Sequence, residues 1–193
     1  MDVEQVSDVV ELYRRAAQSF GERLRGVSGD QWGASTPCAE WDVRALVNHV
    51  IGENRWLPPL MEGKTVADVG DALDGDLLGE DPQSEWDSAV KEALAAVEEP
   101  GALEKTVHLS FGDFPGRYYI GQILSDHVIH SWDLARATGG DENLDPELVR
   151  FAYDELVPQF EEWRKGGAFG PKVEVGDDAD LQTKLLAEAG RKA

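Results

Sequence analysis

Apolar residues recur every three or four positions through most of this chain, with polar residues between them. Such spacing is typical of helices that bury one face and expose the other. It predicts amphipathic helices over residues 3–25, 43–60, 83–98, 146–164 and 181–189. Asp42 and Asp145 stand just before two of these segments as N-caps, because their carboxylates accept hydrogen bonds from free backbone N–H groups. Pro58 and Pro59 predict an end or a kink in the second helix, and Pro158 predicts a kink inside the helix over residues 146–164.

The segment from Tyr118 to Gly139 differs from the others because it is apolar on nearly every side. A helix without a polar face belongs in the middle of a bundle, surrounded by other helices. Gly139 closes this helix, since glycine readily adopts the left-handed backbone that ends a helix. The other helices are therefore predicted to pack around this central one.

The connections between the helices are rich in glycine, proline and aspartate. Residues 61–82 predict a long connection with one short helical turn, and loops of this length are often functional. Residues 103–114 alternate loosely between apolar and polar and favour a short β-hairpin or an extended loop over a helix, whereas residues 166–176 are predicted to be extended. The sequence contains no internal repeat and no low-complexity linker. It therefore predicts one all-α domain over residues 1–193, with a small hairpin segment and a short C-terminal helix.

The central helix carries three polar residues that need an explanation, Asp126, His130 and Asp133. At about 100° per residue they lie within about 60° of one another on one face. An ionised carboxylate is costly to bury without a partner, so this face needs a metal ion or a satisfied hydrogen-bond network. His49 in the second helix would complete a set of two histidines and one carboxylate with Asp126 and His130. Such a set leaves coordination positions open and suits Zn²⁺, with Ni²⁺, Fe²⁺ or Mn²⁺ as competitors.

The same residues also have purely structural interpretations. His49 would then be a core histidine that donates to a carbonyl oxygen, and Asp126 a buried acceptor paired with an arginine. The candidate arginines for that pair are Arg136, Arg44 and Arg117. Asp133 would either orient a metal ligand through a hydrogen bond or form a salt bridge to Arg136 or Arg164.

Four more side chains carry weaker signals. Glu53 lies one turn after His49 on the same side, where it would accept a proton from metal-bound water or thiol, or be a solvated surface carboxylate. His127 is interpreted as a packed or exposed neighbour, with ligation left open, and His108 as a hairpin residue without chemistry. Cys38 is a nucleophile or, as the pattern favours, a small apolar packing residue at the end of a loop.

Composition and charge limit the classes of function. The 193 residues include 38 acidic and 18 basic side chains, which gives a formal net charge of −20. Such a charge repels phosphate backbones and anionic lipids, so binding to nucleic acid or to a membrane surface is not expected. A single cysteine excludes an intramolecular disulfide. The sequence begins without the pattern of a secretory signal, and no apolar run approaches the roughly 20 residues that span a bilayer, so a cytoplasmic location is predicted.

Three stretches of the sequence resemble the DinB/YfiT-like superfamily: TPCAEWDVRALVNHV (36–50), DHVIHSWDLARATG (126–139) and AFGPKVEV (168–175). Within it, the chain is most similar to actinobacterial proteins related to the N-terminal domain of mycothiol-dependent maleylpyruvate isomerase. The resemblance implies a four-helix bundle of DinB/YfiT type with a divalent metal near one end. In that family one ligand is a histidine of the second helix, and an acidic residue and a histidine four positions apart come from the later helix. These positions correspond to His49, Asp126 and His130.

Members of that family use the metal to bind and activate a low-molecular-weight thiol such as mycothiol. The resemblance therefore implies a metal-dependent thiol S-transferase or isomerase-like enzyme, whose partners are a small-molecule thiol and an electrophile. The isomerase carries a further C-terminal domain, whereas one helix and a tail follow the central helix here, and this difference favours S-transfer. The alternative is a non-enzymatic DinB-like bundle that acts as a metal-binding or stress-response protein. A homodimer formed through an exposed helix face is compatible with either function.

Overall fold

Helices make up most of the structure, as the periodicity predicts. The computed structural model describes residues 3–166 and 170–193, with side chains described from Val9 onward. Within those residues lie seven α-helices: α1 (Val3–Arg25), α2 (Val43–Met61), α3 (Val66–Val69), α4 (Pro82–Val97), α5 (Gly116–Thr138), α6 (Pro146–Lys165) and α7 (Leu181–Glu188). Every predicted helix is present, and its ends differ from the predicted ends by no more than two residues.

The predicted helix signals act as expected at the N-termini and at the proline pair of α2. The side chains of Asp42 and Asp145 each accept a hydrogen bond from a backbone N–H of the helix that follows. Helix α2 ends shortly after its proline pair, and α6 continues through Pro158 to Lys165, as its predicted range requires. Leu156 and Phe160 on either side of that proline are buried, so their packing holds the helix together across the missing N–H.

Four of the helices, α1, α2, α4 and α5, form the bundle, and each contacts two of the others. Helix α6 packs on α5, and α7 packs on α6. The predicted central position of α5 is confirmed, since residues such as Ile120, Leu124 and Leu134 are fully buried and α5 contributes to both apolar clusters of the core. None of the helices in the described part of the chain combines the length and hydropathy that a membrane-spanning segment needs.

The predicted hairpin consists of two antiparallel strands, β1 (Thr106–Leu109) and β2 (Gly112–Pro115). Gly112 has a φ of 144° where the chain turns, a backbone conformation that favours glycine. His108 Nδ1 lies 2.7 Å from Oδ1 of Asp113 on the opposite strand. His108 therefore pairs with the opposite strand of the hairpin, in line with its interpretation from the sequence.

The two remaining connections also follow the predicted pattern where the structure describes them. The short helical turn predicted within residues 61–82 is α3, which begins with a capping box between Thr65 and Asp68. Residues 170–176 of the predicted extended segment form neither helix nor strand. Residues 167–169 of that segment lie outside the described residues.

A buried chain of hydrogen bonds joins α1, α2 and α5. The hydroxyl of Tyr13 donates to Oδ1 of Asn54, and Nδ2 of Asn54 lies 2.8 Å from Nε2 of His127. Burial lowers the pKa of His127 to about 3, so its ring is neutral and its Nε2 can accept this hydrogen bond. The rings of Tyr13, Phe20 and Trp86 surround the imidazole. His127 is thus a packed core residue.

Replacement of Asn54 by alanine is expected to lower the free energy of unfolding by about 2–4 kcal/mol. The Tyr13 hydroxyl and Nε2 of His127 would lose their partners inside the core, at about 1–3 kcal/mol for each unpaired group. Urea unfolding followed by circular dichroism measures the change. The control is Gln18→Ala on the exposed face of α1, which is expected to stay within about 0.5 kcal/mol of the wild type. Equal losses in the two variants would show that the buried chain contributes nothing.

Candidate metal centre

Helices α2 and α5 bring the three residues predicted as metal ligands together. Nε2 of His49 lies 3.1 Å from Oδ2 of Asp126, and Nε2 of His130 lies 3.3 Å from Oδ1 of the same carboxylate. One ligand atom from each residue lies within 4.8 Å of the other two. The spacing of four positions places Asp126 and His130 on one face of α5, whereas only the packing of α2 against α5 brings His49 to them.

The cluster formed by His49, Asp126 and His130, called the trio below, is accessible from outside the bundle. The side chains of His49 and Asp126 are 30% and 27% exposed, and that of His130 is 6% exposed. The ring of Trp41, in the loop before α2, has its centroid 4.6 Å from that of His49 and 5.7 Å from that of His130. A small molecule can therefore reach the trio, while an aromatic ring restricts the movement of both imidazoles.

The donor atoms of the trio fit a divalent cation. Two imidazole nitrogens and one carboxylate oxygen are ligands of catalytic zinc sites and leave a position for water or substrate. One ligand atom from each of the three residues lies within 4.8 Å of the other two, close enough for all three to share one ion. Nδ1 of His130 lies 2.9 Å from Oδ2 of Asp133, so Nε2 is the ring nitrogen left for a metal.

Electrostatics within the trio favour a positive charge beside Asp126. Burial raises the pKa of Asp126, but the imidazoles of His130 and His49 outweigh burial and hold that pKa well below its usual range. Burial lowers the pKa of His130, but the carboxylates of Asp126 and Asp133 outweigh it and hold that pKa well above its usual range. Asp126 therefore stays ionised with a positive charge next to it, which a proton on His130 or a divalent cation supplies.

A second carboxylate, that of Asp133, holds the ring of His130 from the side away from Asp126. Asp133 is fully buried and accepts hydrogen bonds from Nε and Nη2 of Arg191 at 3.2 and 2.8 Å. The salt bridge to Arg136 or Arg164 considered from the sequence is therefore wrong. Arg191 takes that place because the packing of α7 on α6 brings the C-terminal residues back to α5. The other interpretation, in which Asp133 orients a ligand, agrees with its contact to His130.

Cys38 contacts both Asp133 and Arg191. Its Sγ lies 3.3 Å from Oδ2 of Asp133 and 3.1 Å from Nη2 of Arg191. The residue also packs at the edge of an apolar cluster, as predicted for a small side chain at a loop end. The polar contacts were not predicted, because Arg191 is 153 positions away in sequence and nothing near Cys38 points to it.

The structure does not pair Asp126 with an arginine in the way the structural interpretation required. Two of the candidate arginines are engaged elsewhere, in the pairs Arg44–Asp76 and Arg136–Glu142, at 2.7 and 2.9 Å. The ion pairs of Asp126 within the described residues are those to His49 and His130. The carboxylate therefore faces two imidazoles, which is the arrangement that the metal hypothesis requires.

A cavity of about 870 Å³, called the α2–α6 cavity below, opens beside the trio between α2, the hairpin, α5 and α6. Glu53 lines it together with His49 and Asp126. Burial, with the nearby Asp126 carboxylate, raises the pKa of Glu53 to about 7. Glu53 is thus a half-buried group next to the trio that can gain and lose a proton near neutral pH, not a solvated surface carboxylate. On the side of Cys38 and Arg191, a second cavity of about 520 Å³ also includes the trio.

Comparisons with known proteins agree with this fold. The model of a family described as the mycothiol maleylpyruvate isomerase N-terminal domain matches residues 13–135. Two uncharacterized proteins, from two strains of Mycobacterium tuberculosis, are each 34% identical over 146 residues, which is 74% of this chain and 74% of theirs. The crystal structure of the mycothiol-dependent maleylpyruvate isomerase superposes with a TM-score of 0.70 at 17% identity. That of a histidine-to-alanine mutant gives 0.71 at 16% identity.

The superpositions extend over almost the whole molecule. Each covers 97% of this chain and 90% of the isomerase chain. The expectation that the likeness stops at the N-terminal bundle of the isomerase is therefore wrong. The part of the chain that follows α5 does not distinguish S-transfer from isomerisation, and any distinction has to come from the residues around the trio.

Proposed function

Because the chain belongs to the mycothiol maleylpyruvate isomerase N-terminal domain family, we propose that it is an enzyme that holds a divalent metal with His49, Asp126 and His130. The cosubstrate is a low-molecular-weight thiol, and the family points to mycothiol as that thiol. The reaction is either transfer of the thiol sulfur to a small electrophile or thiol-assisted isomerisation. The observation that carries the proposal is the convergence of the three ligand atoms within 4.8 Å beside an open cavity.

The proposed chemistry divides between the metal and the residues around it. A bound divalent ion lowers the pKa of a coordinated thiol and holds the thiolate as a nucleophile. His49 and His130 would hold the ion through Nε2 and Asp126 through its carboxylate, while Asp133 keeps the ring of His130 in position. Glu53 accepts the proton that the thiol loses. The sulfur then bonds to the electrophile. In an addition Glu53 returns the proton to the product, whereas in a substitution the bond to the leaving group breaks and that group departs with its electron pair, for example as a halide.

The ligand types favour Zn²⁺ as the metal. Neutral imidazole and carboxylate are ordinary zinc ligands, and three protein ligands leave a position for the thiol. Ni²⁺, Fe²⁺ and Mn²⁺ accept the same ligands and compete according to their availability. The proposal therefore commits to a divalent ion, with zinc as the first one to test.

Metal binding is tested on the natively purified full chain. Elemental analysis is expected to find about one divalent ion per chain. Protein stripped with a chelator and given Zn²⁺ at about 100 times its dissociation constant should gain about 2.7 kcal/mol of stability. For a chain of this size the gain corresponds to a rise in Tm of about 5–10 °C.

The outcome also separates the proposed enzyme from the non-enzymatic alternative. A hydrogen bond between His49 and Asp126 and an ion pair between a protonated His130 and Asp126 satisfy the trio without an ion, so the same geometry suits a bundle with no catalytic role. Protein that contains no metal and gains no stability from Zn²⁺ or Ni²⁺ would contradict the proposal. Protein that binds metal but converts neither monobromobimane nor chlorodinitrobenzene with any cellular thiol would favour the metal-binding alternative.

A further inference from the structure

The wall of the α2–α6 cavity is mostly apolar and aromatic. Helices α2, α3, α5 and α6 and the hairpin contribute the side chains, which include Trp56, Leu109, Phe111, Ile123, Leu156 and Trp163. Its volume of about 870 Å³ is within the roughly 300–1,000 Å³ typical of small-molecule sites. Phe111 at the tip of the hairpin is 57% exposed, an unusual position for a large apolar ring. The cavity thus offers aromatic surface from the entrance down to the trio.

Apart from His49 of the trio, the side chains of this cavity that carry a charge near neutral pH are acidic among the residues that the structure describes. Glu53, Asp126 and Glu162 line it, and no lysine or arginine does. The parts of the chain whose side chains the structure leaves out, residues 1–8 and 167–169, contain neither residue type. Lys165 lies 3.3 Å from a carboxylate oxygen of Glu162, but its side chain is 64% exposed and is not part of the lining.

The arginine that is linked to the trio through Asp133 lines the other cavity. Arg191 lines the cavity of about 520 Å³, and its guanidinium is already engaged by the Asp133 carboxylate at 2.8 Å. It therefore offers nothing to a ligand in the α2–α6 cavity. The two cavities meet at the trio but differ in the charges that a ligand would encounter.

From these observations we propose that the α2–α6 cavity binds an uncharged, apolar aromatic molecule and excludes dicarboxylates. The inference rests on the proposed function for the view that this molecule is the electrophile. Burial of an aromatic ring against Trp56 and Trp163 is favourable, whereas a carboxylate placed in an apolar wall without a cationic partner is costly. A metal on the trio pairs with one carboxylate of a dicarboxylate. The second carboxylate then lies against a wall that supplies no lysine or arginine to pair with it.

Two ligands of nearly the same shape test the charge selection directly. Nitro and carboxylate groups are both planar and similar in size, so 1,3-dinitrobenzene and benzene-1,3-dicarboxylate differ mainly in their charge. Equilibrium dialysis of the full chain, both chelator-stripped and Zn²⁺-loaded, measures the two dissociation constants without any turnover. We expect the uncharged ligand to bind at least about 10-fold more tightly in both forms.

A pair of variants tests whether the preference for the uncharged ligand arises in the α2–α6 cavity. Gln122 lines it, so Gln122→Lys places a cation on the wall and should reduce the preference for the uncharged ligand several-fold. Gln18→Lys adds the same charge on the exposed face of α1, away from this cavity, and should leave the preference unchanged. Equal or tighter binding of the dicarboxylate, no binding of the uncharged ligand, or the same change in both variants would overturn the inference.

The same samples separate this inference from the proposed function. Metal content and stabilisation by Zn²⁺ report on the trio alone. Protein that binds the metal but prefers the dicarboxylate would overturn the ligand class and leave the metal-dependent thiol chemistry standing. If the protein prefers the uncharged ligand but binds no metal, the inference about the α2–α6 cavity stands and the proposal of a metal-dependent enzyme is contradicted.

Discussion

His130→Ala should weaken metal binding by more than about 100-fold and abolish thiol transfer. Loss of a residue that only orients a ligand costs about 10–100-fold in metal affinity, and removal of the ligand itself costs more. Asp133 holds the ring of His130 through Nδ1, so Nε2 faces Asp126 and its loss removes one of the three proposed ligand atoms. Calorimetric titration with Zn²⁺ and a mycothiol-dependent conjugation assay measure the two losses.

Controls show whether the loss of His130 acts through the metal or through the fold. His108→Ala removes an imidazole from the hairpin and should change neither affinity nor activity. His49→Ala removes a more exposed ligand of the trio, so it gives a second test in case His130→Ala does not fold. If both trio variants fold and still bind Zn²⁺ like the wild type, the trio is not the metal site.

Glu53→Gln should lower turnover by about 10²–10⁴-fold while the protein keeps its metal. The amide keeps the size of the side chain but cannot accept the thiol proton, and general-base catalysis is worth about this factor. Glu53 is suited to the role because it lines the cavity beside His49 and Asp126. Steady-state kinetics with saturating thiol, with metal content measured on the same sample, separates a loss of proton transfer from a loss of the ion.

Glu162→Gln is the matched control for Glu53→Gln. Glu162 lines the same cavity, but its carboxylate pairs with Lys165 and it is not among the residues of the trio. Turnover close to the wild type is expected for this variant. If Glu53→Gln also retains normal turnover, Glu53 is not the base, and the thiol must lose its proton to solvent or to another group.

The positions of the helices could be predicted closely from the sequence. Helical periodicity, aspartate caps and a closing glycine are local signals, and each of the six longer helices appears within two residues of its predicted ends. Helix α6 continues through Pro158, as its predicted range requires, and the buried side chains of Leu156 and Phe160 on either side offset the local cost of proline. The central position of α5 could also be predicted, since a helix apolar on every side has to be surrounded.

The candidate site could be predicted only in part. Asp126 and His130 are four positions apart on one helix, so their approach follows from helix geometry. The family resemblance indicated His49 in addition, and the structure places its Nε2 3.1 Å from Asp126. Arg191 and its contacts to Asp133 and Cys38 were missed, because they join segments distant in sequence and no local pattern marks them.

The sequence by itself determined the helices, the faces that they bury and one pair of neighbouring polar side chains, because these depend on interactions between residues a few positions apart. The tertiary structure decided which arginine holds Asp133, which groups surround Glu53 and which charges line each cavity. Those features depend on how α2, α5, α6 and the C-terminal residues pack against one another. Packing at that range is set by the whole core, so no short stretch of sequence contains it.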